Sequence, residues 1–153
     1  MRSSAASDVY KRQLHTCEWL EKHGYEVTYL DVDSNGLVDI DEFCAAIKDT
    51  TIIASIMYAN NEIGTIEPIK ELGAAAHSKG VIFHTDAVQA FAHIPVNVKD
   101  MNIDMLSASG HKFHGPKGTG FLYISNSVKK VLLFMEAHRR EAAGQERLMF
   151  LEL

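Results

Sequence analysis

Four short apolar runs constrain this chain most: Thr51–Tyr58, Val81–His84, Met105–Ser107 and Gly120–Ile124. Each has the length of a strand rather than of a core helix. Thr51–Tyr58 is apolar almost throughout, the pattern of a strand buried on both faces. Between and before these runs lie helical patterns. Leu14, Cys17, Trp19 and Leu20 predict an amphipathic helix that stops at His23-Gly24, where glycine supplies a left-handed cap. Tyr25–Leu30 alternates β-branched and aromatic residues and predicts a further strand. Asp39–Lys48 predicts a helix, and Ile69–Ser78 another, opened by Pro68 and closed near Gly80. Helices alternating with short apolar strands imply an α/β fold, a three-layer domain around a mostly parallel sheet.

A chain of 153 residues, 46% hydrophobic and 23% charged, has the composition of an ordinary globular domain. Its net charge of −5 gives no basic footprint for nucleic acid. No apolar run approaches the ~20 residues of a membrane span. The amino terminus carries no signal-peptide pattern. Two cysteines, Cys17 and Cys44, make no disulfide framework, which suits a reducing compartment.

Three motifs invite other functions. Asp31-x-Asp33-x-Asn35-Gly36, with Glu42 twelfth, fits a calcium EF-hand loop, so a calcium-binding module at Asp31–Glu42 is the alternative from a different class. An EF-hand needs a helix entering the loop, whereas Gly24 and the strand-like Tyr25–Leu30 stand there. A solvated turn with Gly36 at positive φ is the preferred reading. Gly110–Lys117 faintly matches a phosphate P-loop, but Pro116 and the missing Lys-Ser/Thr pair exclude it. His84, His93, His111 and His114 lack zinc-ligand spacing and a cysteine partner.

In a parallel sheet, ligands gather at the carboxyl ends of the strands. The polar residues placed there are Asn60-Asn61-Glu62, Asp86 with Gln89, and Ser109-Gly110-His111-Lys112. Lys112 has glycines before and after it, and a lysine that forms a Schiff base needs small neighbours for close approach. Asp86, at the end of an apolar strand, is suited to keep a pyridine nitrogen protonated. Gln89 shares its side if a helical turn begins there. From the residues alone, Asp86 could equally be a helix N-cap and Lys112 a solvated loop lysine.

From Leu14 to about Ile124 the chain resembles the cysteine desulfurases, the group I branch related to NifS and IscS-type enzymes within class-V aminotransferases. The resemblance rests on Ala-Asn-Asn-Glu-Ile-Gly-Thr-Ile (59–66), His-Thr-Asp-Ala-Val-Gln (84–89) and Ser-Gly-His-Lys-Phe-His-Gly-Pro-Lys-Gly-Thr-Gly (109–120). It implies a partial large domain of a fold type I transferase dependent on pyridoxal 5′-phosphate. Lys112 is then the Schiff-base lysine and Asp86 the partner of the pyridine nitrogen. Gln89 and Asn61 would meet the phenolate oxygen, Asn61 also lying near the substrate carboxylate, and Ser109 and His111 would bind phosphate. The implied reaction converts L-cysteine to L-alanine and leaves a persulfide on an enzyme cysteine. The implied setting is a cytoplasmic homodimer that passes sulfur to a scaffold or carrier protein for iron–sulfur clusters or thiolation. A selenocysteine lyase, or another class-V enzyme dependent on pyridoxal 5′-phosphate, would share these motifs. Neither Cys17 nor Cys44 matches the family's nucleophile loop, so this chain alone is expected to be catalytically incomplete.

The ends depart from the resemblance. Residues 1–13 read as a non-native or disordered leader, with Tyr10 in the register of the family's ring-stacking histidine. Residues 126–153 read as an out-of-frame tail. From the third base of the Phe134 codon, with free codon choice, 134–150 can encode His-Gly-Gly-Ala-Gln-Glu-Arg-Gly-Arg-Arg-Ala-Gly-Thr-Pro-Asn-Val, the desulfurase continuation. A frame change between about Ser125 and Phe134 accounts for this. Both ends are expected to make few core contacts, and residues 14–125 to form the cofactor-binding part.

Overall fold

The computed structural model describes residues 15–128; residues 1–14, which include the expected leader, and residues 129–153 lie outside them. A first helix, α1, runs through residues 15–22 and ends as its sequence predicts. Gly24 has φ +88°, its N–H bonds to Glu21 O, and the Tyr25 N–H reaches back to Leu20 O. That pair of bonds is the Schellman closure, which a left-handed residue makes possible. Helix α2 (Ile40–Ala46) is shorter than expected and starts at Asp39, whose side chain accepts from the Glu42 N–H. Strand β1 (Ile53–Met57), helix α3 (Ile69–Ser78), β2 (Ile82–Asp86), β3 (Met105–Ser109) and β4 (Gly120–Ile124) follow.

The sheet order is β1-β2-β3-β4, with β1, β2 and β3 parallel and β4 antiparallel to β3. Residues in register share a face of the sheet, and faces alternate along each strand. One face presents Ala54, Ile56, Phe83, Leu106 and Ala108. Phe43 of α2 and Leu72 and Ala76 of α3 pack on it in one apolar core. Phe83 is fully buried and meets Phe43 edge-on at 6.5 Å. The other face carries Ser55, His84, Asp86, Ser107 and Ser109, with a smaller cluster of Ile53, Met105 and Val128. Val128 is therefore packed, although it falls in the segment expected to make few core contacts.

Tyr25–Leu30 does not form a strand. Tyr25 and Leu30 are buried while Tyr29, on Tyr25's side of an alternating pattern, is 43% exposed, and no ladder forms on the segment among the described residues. A strand needs a neighbour for its backbone groups, and periodicity cannot supply one. The calcium-like loop is a turn. Val32 bridges Val38, and Asp33 Oδ1 accepts from the Asn35 and Leu37 N–H groups at 2.8 and 2.9 Å. Gly36 has the positive φ of +78° expected of it. The segment entering the loop is not helical, and no cluster of metal-ligating side chains occurs among the described residues. The turn instead braces the loop after β1. Thr65 Oγ1 donates to Asn35 O at 2.5 Å, and the Val38 N–H donates to the buried Glu67 carboxylate at 3.1 Å.

Candidate active site

Parallel pairing puts the carboxyl ends of β1, β2 and β3 on one edge, and the polar residues singled out in the sequence lie there. The loop after β1 closes on itself. The Asn60 N–H bonds to Thr65 O, the Gly64 N–H to Asn60 O, and Ala59 bridges Ile66. Asn60 Oδ1 caps the bend by accepting from the Glu62 N–H at 2.8 Å, which leaves Asn61 exposed near its tip. Asn60 is thus the turn former and Asn61 the residue presented outward.

Asp86 is the last residue of β2, in register with Met57 and Ser107. The neighbouring backbones are tied there: the Tyr58 N–H donates to Asp86 O, and the Ala87 N–H to Ser107 O. Asp86 is 7% exposed, and burial raises its carboxyl pKa, partly offset by the Val88 N–H donating to Oδ1 at 2.9 Å. The N-cap reading is realised locally, because the carboxylate does hold the first amide of the next turn. Half-buried Gln89 sits in that turn, whose Phe91 N–H returns to Ala87 O.

Ser109 ends β3, and the 3₁₀ turn Gly110–Lys112 follows without a break. Ser109 Oγ lies 2.8 Å from His111 Nδ1, so a hydroxyl and an imidazole form one polar unit at the edge. Lys112 is half-buried at the end of this turn. A lysine amine, a buried carboxylate and a hydroxyl–imidazole pair on one edge form a donor set suited to an aldehyde cofactor bearing a phosphate and a basic ring nitrogen. The burial that raises the Asp86 pKa is the condition a cationic N–H opposite it would relieve.

Sequence reasoning passed over Ser55 and treated His84 as a strand-end residue. The two face each other on the Asp86 side of the sheet, with Ser55 Oγ 2.7 Å from His84 Nδ1. Burial pushes the His84 pKa down to about 4. The folded chain keeps this imidazole neutral, while in the unfolded chain it takes a proton near pH 6.5. Between those values the unfolded state binds more protons, so stability falls as pH falls. The full loss is about 3 kcal/mol. Asp86 and Glu67, with raised pKa values, act in the opposite sense. A comparison with His84→Gln isolates the histidine. The unfolding free energy of the unaltered chain minus that of the variant should drop by up to about 3 kcal/mol between pH 7 and pH 4. A constant difference would mean that folded His84 protonates freely.

Residues 11–141 match the family model described as Aminotransferase class-V. The chain belongs to the class-V aminotransferase family. Among curated relatives it is similar to the cysteine desulfurase IscS of Methanosarcina thermophila, 56% identical over 137 residues, covering 88% of this chain and 34% of the relative. The IscS of Clostridium botulinum is 60% identical over 134 residues, covering 88% of this chain and 32% of the relative. Among solved structures, SspA in complex with cysteine superposes with a TM-score of 0.71 at 47% identity, covering 72% of this chain and 32% of that one. A NifS-like protein gives a TM-score of 0.71 at 40% identity, covering 75% and 32%. The chain thus spans about a third of the length of the curated relatives it matches. In this class-V aminotransferase chain the mixed, mostly parallel sheet with its helices is the α/β fold expected from the apolar runs.

Proposed function

We propose that the chain carries the cofactor-holding part of a pyridoxal 5′-phosphate-dependent cysteine desulfurase, with Lys112 as the covalent anchor. One observation carries this reading: Asp86, the Ser109–Lys112 turn and the Asn61 loop occupy one edge of three parallel strands. Family membership implies pyridoxal 5′-phosphate, which when bound supplies an electron sink for breaking bonds around an amino acid's α-carbon. Asp86 holds the ring nitrogen's proton. Gln89 and Asn61 donate to the phenolate oxygen, and Asn61 also orients the substrate carboxylate. Ser109 and His111 hold the phosphate by charge-assisted hydrogen bonds. The substrate is L-cysteine, as the relatives' names and the cysteine complex suggest. Sulfur passes to a scaffold or carrier protein, and the intact protein is a cytoplasmic homodimer. No helix among the described residues is long and apolar enough to cross a membrane.

Cys17 is 1% exposed on α1, and Cys44 is half-buried on α2. Neither stands at the strand ends, so the chain by itself lacks a persulfide-forming thiol in reach of its substrate. Incubation of the purified chain with pyridoxal 5′-phosphate and cysteine, followed by alanine and sulfide assays, should give a visible absorbance without turnover. Sulfide above the background of free cofactor, abolished by Lys112→Ala, would show a more complete enzyme.

We also propose that residues 14–125 are the cofactor-binding part, that residues 1–13 are a non-native leader, and that the reading frame changes before Phe134. Packed Val128 favours a change after that residue. The family match runs on to residue 141. The nucleotide sequence decides: codons for 134–150 that cannot encode the shifted peptide end the idea.

A further inference from the structure

The turn that leaves β2 reaches the lysine turn at points the proposed chemistry does not use. His93 Nε2 lies 2.9 Å from the backbone carbonyl of Lys112. A carbonyl only accepts, so the imidazole donates, in its Nε2–H tautomer or as the cation. Phe91 packs edge-on against Phe113 at 5.2 Å and against Phe121 at 4.8 Å, and Phe113 faces Phe121 at 6.4 Å. Lys112 is therefore bracketed: its carbonyl is held by His93, and the next ring, Phe113, is held by Phe91, which also packs on Phe121. Inside the turn, the Phe113 and Gly115 N–H groups both donate to Gly110 O, and the Gly110 N–H donates to Thr119 O. These contacts fix the backbone and leave the lysine amine out of the arrangement. Ala92 and His114, on either side of the bracket, both hold φ +65°. A non-glycine residue persists in that region only where its surroundings enforce it.

We propose that His93 is a positioning residue, donating to the Lys112 carbonyl so that the lysine turn stays fixed against the turn that begins at Asp86. The hydrogen bond joins two sides of the site through segments 19 residues apart in sequence. Its functional meaning rests on Lys112 being the cofactor anchor, whereas the bond itself can be tested without cofactor.

The test uses the full 153-residue chain, His93→Ala, and His93→Gln, whose amide can donate to the same carbonyl. Two measurements are made: hydrogen exchange of the Phe113 and Gly115 amides, and the rate at which Lys112 captures pyridoxal 5′-phosphate. Capture is trapped with borohydride and located by peptide mass, with exposed Lys70 on α3 as internal comparator. In His93→Ala both amides should exchange about tenfold faster, and Lys112 capture relative to Lys70 should slow by about tenfold. His93→Gln should restore both, and the melting temperature should change little in either variant. Unchanged exchange in His93→Ala overturns the proposal. So does selective capture at Lys112 that His93→Ala leaves intact, in which case the anchor reading survives alone. Capture in the unaltered chain no faster at Lys112 than at Lys70 overturns both.

Discussion

Lys112→Ala should abolish the visible absorbance that develops when the chain is titrated with pyridoxal 5′-phosphate. The anchor is a covalent bond between an amine and an aldehyde, and no residual hydrogen bond replaces it. The contacts proposed for Asp86, Ser109 and His111 are non-covalent, and His111 is exposed to solvent. A loss of at least about 3 kcal/mol is expected, which is a hundredfold or more in apparent affinity. Borohydride reduction of the unaltered chain should place the added mass on the peptide containing Lys112. Lys117, five residues on in the same glycine-rich segment, is the informative control. If Lys112→Ala kept its absorbance and Lys117→Ala lost it, the anchor would have been assigned to the wrong lysine.

Phe83→Ala should cost about 3–5 kcal/mol in urea unfolding, a large part of a stability of roughly 5–15 kcal/mol. Phe83 is fully buried on β2, where it meets the α2–α3 layer and packs edge-on against Phe43. Removing the ring leaves a cavity that the paired strands on either side cannot close, because their register is fixed by ladder hydrogen bonds. The effect should also reach the site, since Asp86 lies three residues further along the same strand. Cofactor capture at Lys112 should weaken before global unfolding is complete. Leu122→Ala, at a side chain 46% exposed on β4, should change stability by no more than about 0.5 kcal/mol. Equal losses at the two positions would mean that the helix-covered face is not the core.

The local features of this protein could be read from its sequence because they depend on neighbours along the chain. Ile69–Ser78 has the predicted bounds, since its apolar spacing, Pro68 and Gly80 all act within one or two turns. Gly24 closes α1 and Asp39 caps α2 for the same reason. Asp86 and Ser109 were placed at strand ends by apolar runs that stop there, although both residues belong to the strands rather than following them. The motifs around Asn61, Asp86 and Lys112 were legible because their chemistry resides in residue type and order.

Everything that depends on a partner distant in sequence was decided by the tertiary structure. The antiparallel direction of β4 follows from its pairing of Ser109 with Gly120, and an apolar run carries no sign of direction. Tyr25–Leu30 has a strand's alternation in sequence and no ladder among the described residues, because a ladder needs a second backbone alongside. The calcium-like turn became a brace through Thr65 and Glu67, about thirty residues away. His84 became a neutral imidazole through the burial that folding imposes. His93 gained its place beside Lys112 because parallel pairing of β2 and β3 brings the turns that leave them together. Sequence sets what each residue can donate, accept or bury; which group it meets is fixed only when the strands pair and the layers close.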